Sequence, residues 1–295
     1  LHNNTHKPLL KPHKFSPWGV ISWIENQKQT NYHSNTQDQH VRRLWTSRRL
    51  RKGHFPLEQG TYRALKGRQI LQALIYSKDI HRLEVQTSLA FIIGPILFAI
   101  GSILQLKNSG SATSMLAIGS IFFTAGGLLQ LKQAIQSANK ALDIKDRWNW
   151  CGIWCALTQS IGTILFNIDT FSAWFLPTIN NAPWLALEVV PNFIGSIFFI
   201  ISAIYGLLEI GHGRLLVINP KHIGWWISIV NAMGCLWFMQ AAIASLPLNL
   251  TAATILDPQI SIRATLLGSM AFTTVGILSL AECSEDFISR LEGQI

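Results

Sequence analysis

From residue 86 onward, apolar runs of about 20 residues alternate with short polar breaks. The runs fall at about 86 to 106, 112 to 131, 151 to 169, 190 to 209, 224 to 245 and 262 to 281. At a rise of about 1.5 Å per residue, each is long enough to cross a hydrocarbon core of roughly 30 Å. The pattern therefore predicts an all-α integral membrane protein with six transmembrane helices. Breaks at 107–111, 170–189 and 246–261 read as loops on one side of the membrane.

The runs repeat one another. In every run a glycine is followed four residues later by phenylalanine: Gly94 and Phe98, Gly119 and Phe123, Gly162 and Phe166, Gly195 and Phe199, Gly234 and Phe238, Gly268 and Phe272. Residues four apart share a helix face, so each helix offers a gap beside a large ring. First helices of a pair read Gly-Pro-Ile-Leu-Phe98, Gly-Thr-Ile-Leu-Phe166 and Gly-Cys-Leu-Trp-Phe238. Second helices read Ile-Gly-Ser-Ile-Phe-Phe123, Ile-Gly-Ser-Ile-Phe-Phe199 and Leu-Gly-Ser-Met-Ala-Phe272. Equivalent glycines lie 68 to 76 residues apart, which makes three tandem helical hairpins at 86–132, 150–210 and 223–282, followed by a tail at 283–295. Eight residues after the second-helix glycine stand Gly127, Ala203 and Gly276, and fourteen after it Gln133, Glu209 and Glu282. Small residues let helices approach closely in lipid, so the motif is expected to set helix packing, glycine against partner phenylalanine.

Before the first hairpin the chain is polar and basic. Residues 1–60 read as a cytoplasmic arm, partly disordered, with an apolar island at Pro17–Ile24. Ser16 and Pro17 there resemble a helix start, which predicts a short helix. Residues 61–85 repeat apolar positions at four-residue spacing among Arg63, Lys66, Arg68, Lys78 and Arg82, an amphipathic juxtamembrane helix. The first 15 residues lack the apolar core of a cleavable signal peptide.

Charge orients the whole. Of 24 Lys and Arg, only Lys107 and Arg263 lie on the loop side; the other 22 share the side of the two termini. The positive-inside rule places both termini in the cytoplasm. The densest run, Arg42, Arg43, Arg48, Arg49, Arg51 and Lys52, is interleaved with Trp45. Next to a membrane, such a run suits anionic lipid headgroups, at about 1 kcal/mol per basic residue, better than nucleic acid.

Candidate chemistry is sparse. No acidic or basic residue lies near a span centre, which argues against an ion or proton path. The amides Gln159, Asn167, Asn231 and Gln240 could line a small-ligand site, or bond across helices; Gln159 and Asn231 stand at equivalent positions, three before the glycine. Cys151 and Cys155 lie one turn apart but read as small packing residues. Glu209, His212, Arg214 and His222 border one loop without a metal signature, and no metal or other cofactor is expected. No phosphate loop, nucleophile elbow or paired catalytic carboxylates are found, so an enzyme is not expected.

The hairpin Gln86–Gln133, with Ile93-Gly-Pro-Ile-Leu-Phe98, Gly101-Ser102 and Ile118-Gly-Ser-Ile-Phe-Phe123, resembles the YrhK-like domain; the other two resemble it loosely. The resemblance implies a bacterial inner-membrane protein and carries no catalytic residue. The general plan of three two-helix repeats is also similar to that of mitochondrial carriers. Their Pro-x-acid motif at the ends of odd helices is missing here, where the odd helices end near Gln105, Asp169 and Ser245. The function expected is a non-enzymatic helix-packing module that binds lipid or partner membrane helices as a homo-oligomer. The alternative is a transporter or sensor of a small uncharged or weakly polar ligand.

Overall fold

Backbone polar groups in hydrocarbon must be satisfied within the chain, so each apolar run closes its own ladder as a helix. A computed structural model describes residues 11–12, 15–16, 19–20, 22–29, 39–46, 48, 57–58, 82–140, 150–176, 185–220, 222–249 and 252–291, with side chains at 48, 82–137, 150–176, 185–220, 222–247 and 256–283. Its helices are α1 (Leu83–Leu106), α2 (Ala112–Lys140), α3 (Trp150–Phe175), α4 (Val190–Ile210), α5 (Ile223–Ala244) and α6 (Pro258–Leu291). All six are long and apolar enough to span a membrane, with mean hydropathy from 1.4 to 2.2. The protein is thus a six-span, multi-pass, all-α membrane protein.

Several boundaries differ from the sequence expectation. The helix α3 extends through Phe171, Trp174 and Phe175, with the Phe175 ring stacked on those of Phe171 and Trp174, so the loop begins later than residue 170. A π-helical turn, Leu185–Val189, leads into α4. Between α5 and α6 lies a small antiparallel pair, Pro247–Asn249 with Ala252–Ile255, and the Asp257 carboxylate accepts the Ile260 amide at the start of α6. Helix α6 also runs on through the expected tail as far as Leu291. In place of a helix at Pro17–Ile24, the arm forms strand Ser22–Gln29, antiparallel to Gln39–Thr46, with Trp23 opposite Trp45. The island alternates Trp, Gly, Val, Ile, Ser and Trp, a composition that suits a strand at least as well as a helix. The juxtamembrane helix lies outside the described residues, except that 83–85 already belong to α1.

Each helix packs against its neighbours in sequence, and α6 returns to α1, closing a ring. Within each hairpin the glycines carry the contact. A Cβ on Gly119 would stand 2.8 Å from the Phe98 ring and 2.9 Å from the Gly94 carbonyl. One on Gly162 would stand 2.7 Å from the Phe199 ring and 3.0 Å from the Gly195 carbonyl, and one on Gly195 3.0 Å from the Phe166 ring. In the third hairpin a Cβ on Gly268 would meet the Phe238 ring at 2.7 Å, and one on Gly234 the Phe272 ring at 3.3 Å. The bare backbones touch, and five of the six phenylalanine rings lie over the glycine of the partner helix; Gly94 meets the Gly119 carbonyl and the Phe123 backbone instead.

All six phenylalanines turn into the ring and form one buried cluster. Those of the second helices, Phe123, Phe199 and Phe272, make an inner triangle with centroid separations of 5.7, 5.9 and 5.2 Å and edge-to-face tilts of 84°, 62° and 66°. This near-equality shows a pseudo-threefold axis running down the ring. Such aromatic pairs each add about 0.5–1.5 kcal/mol beyond their burial.

Between hairpins, the small residues eight after each second-helix glycine take over. A Cβ on Gly127 would meet Thr163 Oγ1 of α3 at 3.1 Å, and one on Gly276 the Phe91 carbonyl of α1 at 2.8 Å. Pro95 has no amide hydrogen to give that carbonyl, so α6 can lie directly against it. Hydroxyls join the same seams: Thr170 donates to Ser120 Oγ at 2.9 Å and Ser196 to the Phe238 carbonyl at 3.3 Å. The outside of the ring carries Ile93, Ile96, Ile100, Ile121, Leu128 and Leu236, an apolar surface suited to lipid.

Gly162→Ala should therefore destabilise the protein by about 1–3 kcal/mol, because the overpacking cost exceeds the helix preference of alanine. Gly206→Ala, whose Cβ would find only the Cys155 sulfur at 3.7 Å, should be neutral or mildly stabilising. Thermal unfolding of both variants in one detergent reads the contrast.

Candidate functional site

The phenylalanine cluster blocks the axis, but it fills only part of the ring. On the side from which α1, α3 and α5 start, a cavity of about 80 Å³ lies over it, with Phe272 among its walls. Such a volume holds several waters or a group of a few non-hydrogen atoms.

The walls come from equivalent positions of the repeats. Three residues before the first-helix glycine stand Phe91, Gln159 and Asn231, and seven before it Thr87, Cys155 and Ile227; all six line the cavity. Eleven after the second-helix glycine stand Gln130, Gly206 and Ser279, which line it too. The cavity is thus on the pseudo-threefold axis, yet its walls are not threefold. Beneath it the same residue, phenylalanine, recurs six times; around it these three sets hold different residues in each hairpin, while Ser88 and Ser228, six before their glycines, are alike.

The four amides singled out in the sequence separate here. Gln159 is buried, and its Oε1 accepts from the Ser202 hydroxyl of α4 at 2.9 Å. Asn231 lies beside it in the wall, with Nδ2 3.8 Å from the Cys235 sulfur. Asn167 is elsewhere: it donates to Thr124 Oγ1 of α2 at 2.7 Å, while Thr124 donates to the Thr163 carbonyl. Gln240 is exposed on the outer surface of α5. Two of the four thus share the cavity and two do not.

At its outer end the cavity meets Arg48, and here the sequence expectation needs correcting. Arg48 belongs to the basic run read as lipid-facing, but its side chain is buried in the mouth of the ring. Its Nε and Nη2 donate to the two carboxylate oxygens of Glu282 at 2.9 and 2.8 Å, and its stem lies against Gly224 of α5. A bidentate pair of this kind needs the planar fork of arginine. The reason is local: Glu282 is buried at the end of α6, and a buried carboxylate calls for a cation. Arg42 and Arg43 lie in strand Gln39–Thr46, described for its backbone alone, and Arg49, Arg51 and Lys52 lie outside the described residues.

Two more acids are buried at this level. Glu84 of α1 lines the cavity and accepts from Arg82 at 3.1 Å, and Glu209 of α4 stands at the repeat position of Glu282. The alignment of Gln133, Glu209 and Glu282 was the available signal for this layer, but nothing in it selects Arg48 as the partner. Of the loop cluster, Glu209 is buried, Arg214 is exposed, His212 has a left-handed backbone (φ 51°) and His222 precedes α5. Among the described residues, no three His, Cys, Asp or Glu side chains are grouped to hold a metal ion.

In comparison with known proteins, no family model, curated protein or solved structure matches the chain.

Removing one member of the buried pair should cost more than removing both. Arg48→Ala or Glu282→Gln is expected to lower stability by about 3 kcal/mol, because the survivor stays buried and loses the bidentate contact. The double variant should recover part of that loss. A double-mutant cycle from unfolding in detergent gives the coupling, and additive losses would mean that the two side chains do not meet.

Proposed function

We propose that this is a non-enzymatic membrane binding protein, a sensor or receptor that holds one small polar ligand in the axial cavity. The observation that carries the reading is the contrast between layers. Six identical phenylalanines close the axis, while three sets of equivalent wall positions above them, those of Phe91, Thr87 and Gln130, hold a different residue in each hairpin. Divergence at those positions makes the lining asymmetric, which suits an asymmetric molecule. Buried polar groups must also find partners, which a polar ligand or water in the cavity would supply.

The closed phenylalanine layer favours one-sided binding over conduction. The packing-module reading has less support, because the glycines that would dock partner helices already pack within the chain. The bacterial inner membrane, with both termini cytoplasmic, fits the charge distribution and puts the cavity mouth on the cytoplasmic side. Arg42, Arg43, Arg49, Arg51 and Lys52 would there face anionic headgroups.

Native mass spectrometry of protein extracted gently from its own membrane should find a reproducible bound small molecule. Gln159→Leu and Asn231→Leu should each reduce its occupancy at least tenfold, and Gln240→Leu should leave it unchanged. Phospholipid as the sole ligand, or equal loss in all three variants, would remove the cavity from consideration.

A further inference from the structure

The amides in the wall narrow the class of ligand, in an inference that rests on the cavity being the binding site. Gln133 of α2 stands where the other two hairpins carry the buried acids Glu209 and Glu282. It lines the cavity and is only 6% exposed, yet its amide has no hydrogen-bond partner among the described residues. Two further wall amides are half-bonded. Ser202 donates to Gln159 Oε1 and leaves Nε2 open, and Asn231 Nδ2 reaches only the Cys235 sulfur, leaving Oδ1 open. Buried donors and acceptors without partners are costly, and the cost is removed when a guest supplies those partners.

The open groups are neutral and of both kinds, donor and acceptor. Among the described residues, the charged members of the wall are Arg48 and Glu84, of opposite sign and each in an ion pair, with Glu282 and with Arg82. An ionic guest would therefore bring a buried charge to a wall that has no net charge to offset it. A hydroxyl gives and accepts through one atom, so it cannot meet the N–H and the carbonyl of Gln133 by two parallel bonds. A primary carboxamide can, being planar with N–H and C=O side by side, and it is small enough for a space of about 80 Å³. We propose that the cavity binds a neutral molecule through a primary carboxamide group that pairs with Gln133. Its second N–H is then left for Asn231 Oδ1, and the second lone pair of its carbonyl for Gln159 Nε2.

The test is saturation-transfer NMR on the full chain in detergent, washed until native mass spectrometry finds no bound small molecule. The probe is acetamide; acetone and 2-propanol are neutral controls of similar shape, and acetate and acetamidinium are charged ones. Acetamide should bind wild type saturably at millimolar concentration, and every control at least tenfold more weakly. Gln133→Leu and Asn231→Leu should each weaken acetamide at least tenfold, and Gln240→Leu, outside the cavity, should change nothing. With no ligand present, Gln133→Leu should unfold no earlier than wild type, because it gives up no hydrogen bond within the protein. Silence of acetamide, an equal response to any control, undiminished binding in Gln133→Leu or Asn231→Leu, or a lowered unfolding midpoint of Gln133→Leu overturns the proposal. Should acetamide be silent while Gln159→Leu and Asn231→Leu still lose the native ligand, the carboxamide proposal fails and the cavity reading stands.

Discussion

The fold depends on backbone-to-backbone contact at the glycines. In water, apolar helices associate because their surfaces leave the solvent; in lipid that force is absent, and close packing has to replace it. A glycine removes the side chain that would hold two helices apart, and the phenylalanine one turn later fills the space beside the partner's glycine. Both halves of the device are needed. Without the glycine the ring has no room, and without the ring the close approach leaves a void on the axis. Repeating the device six times brings six phenylalanines to one level and fixes the ring size from inside.

The same device explains why a cavity forms on the arm side. Side chains on a helix can meet at the axis only if they are large enough to reach it. At the phenylalanine level all six do, and the axis is filled. Toward the starts of α1, α3 and α5, four of the wall positions carry the short residues Gly206, Ser279, Thr87 and Cys155, and the centre stays open. Open space surrounded by amides, hydroxyls and acids is suited to a polar guest. The repeat thus supplies rigidity where its residues agree and a site where they differ.

Much of this architecture was legible in the sequence. Span number, hairpin pairing and the glycine-phenylalanine register all follow from periodicity, because lipid makes the length of an apolar run and the depth of a motif nearly equivalent to structure. The equivalence of Gln159 and Asn231 was visible as well, although their meeting at one cavity required the ring to close between α6 and α1. Asn167 and Gln240 looked the same in sequence and were not distinguishable, since the face an amide presents depends on the rotation of its helix. Arg48 was unreadable for a different reason. A basic run beside a membrane has a sufficient explanation in lipid charge, and a contact across 234 positions leaves no local trace.

The buried pair of Arg48 and Glu282 has a consequence for how the arm and the bundle are related. A buried ion pair adds little net stability compared with apolar packing, so its value lies in selectivity. An apolar residue at position 48 would find many acceptable places on this protein, including the lipid. The fork of Arg48 meets both oxygens of a buried carboxylate at the mouth of the cavity. Arg48 is therefore held by a contact whose strength depends on charge and hydrogen-bond geometry.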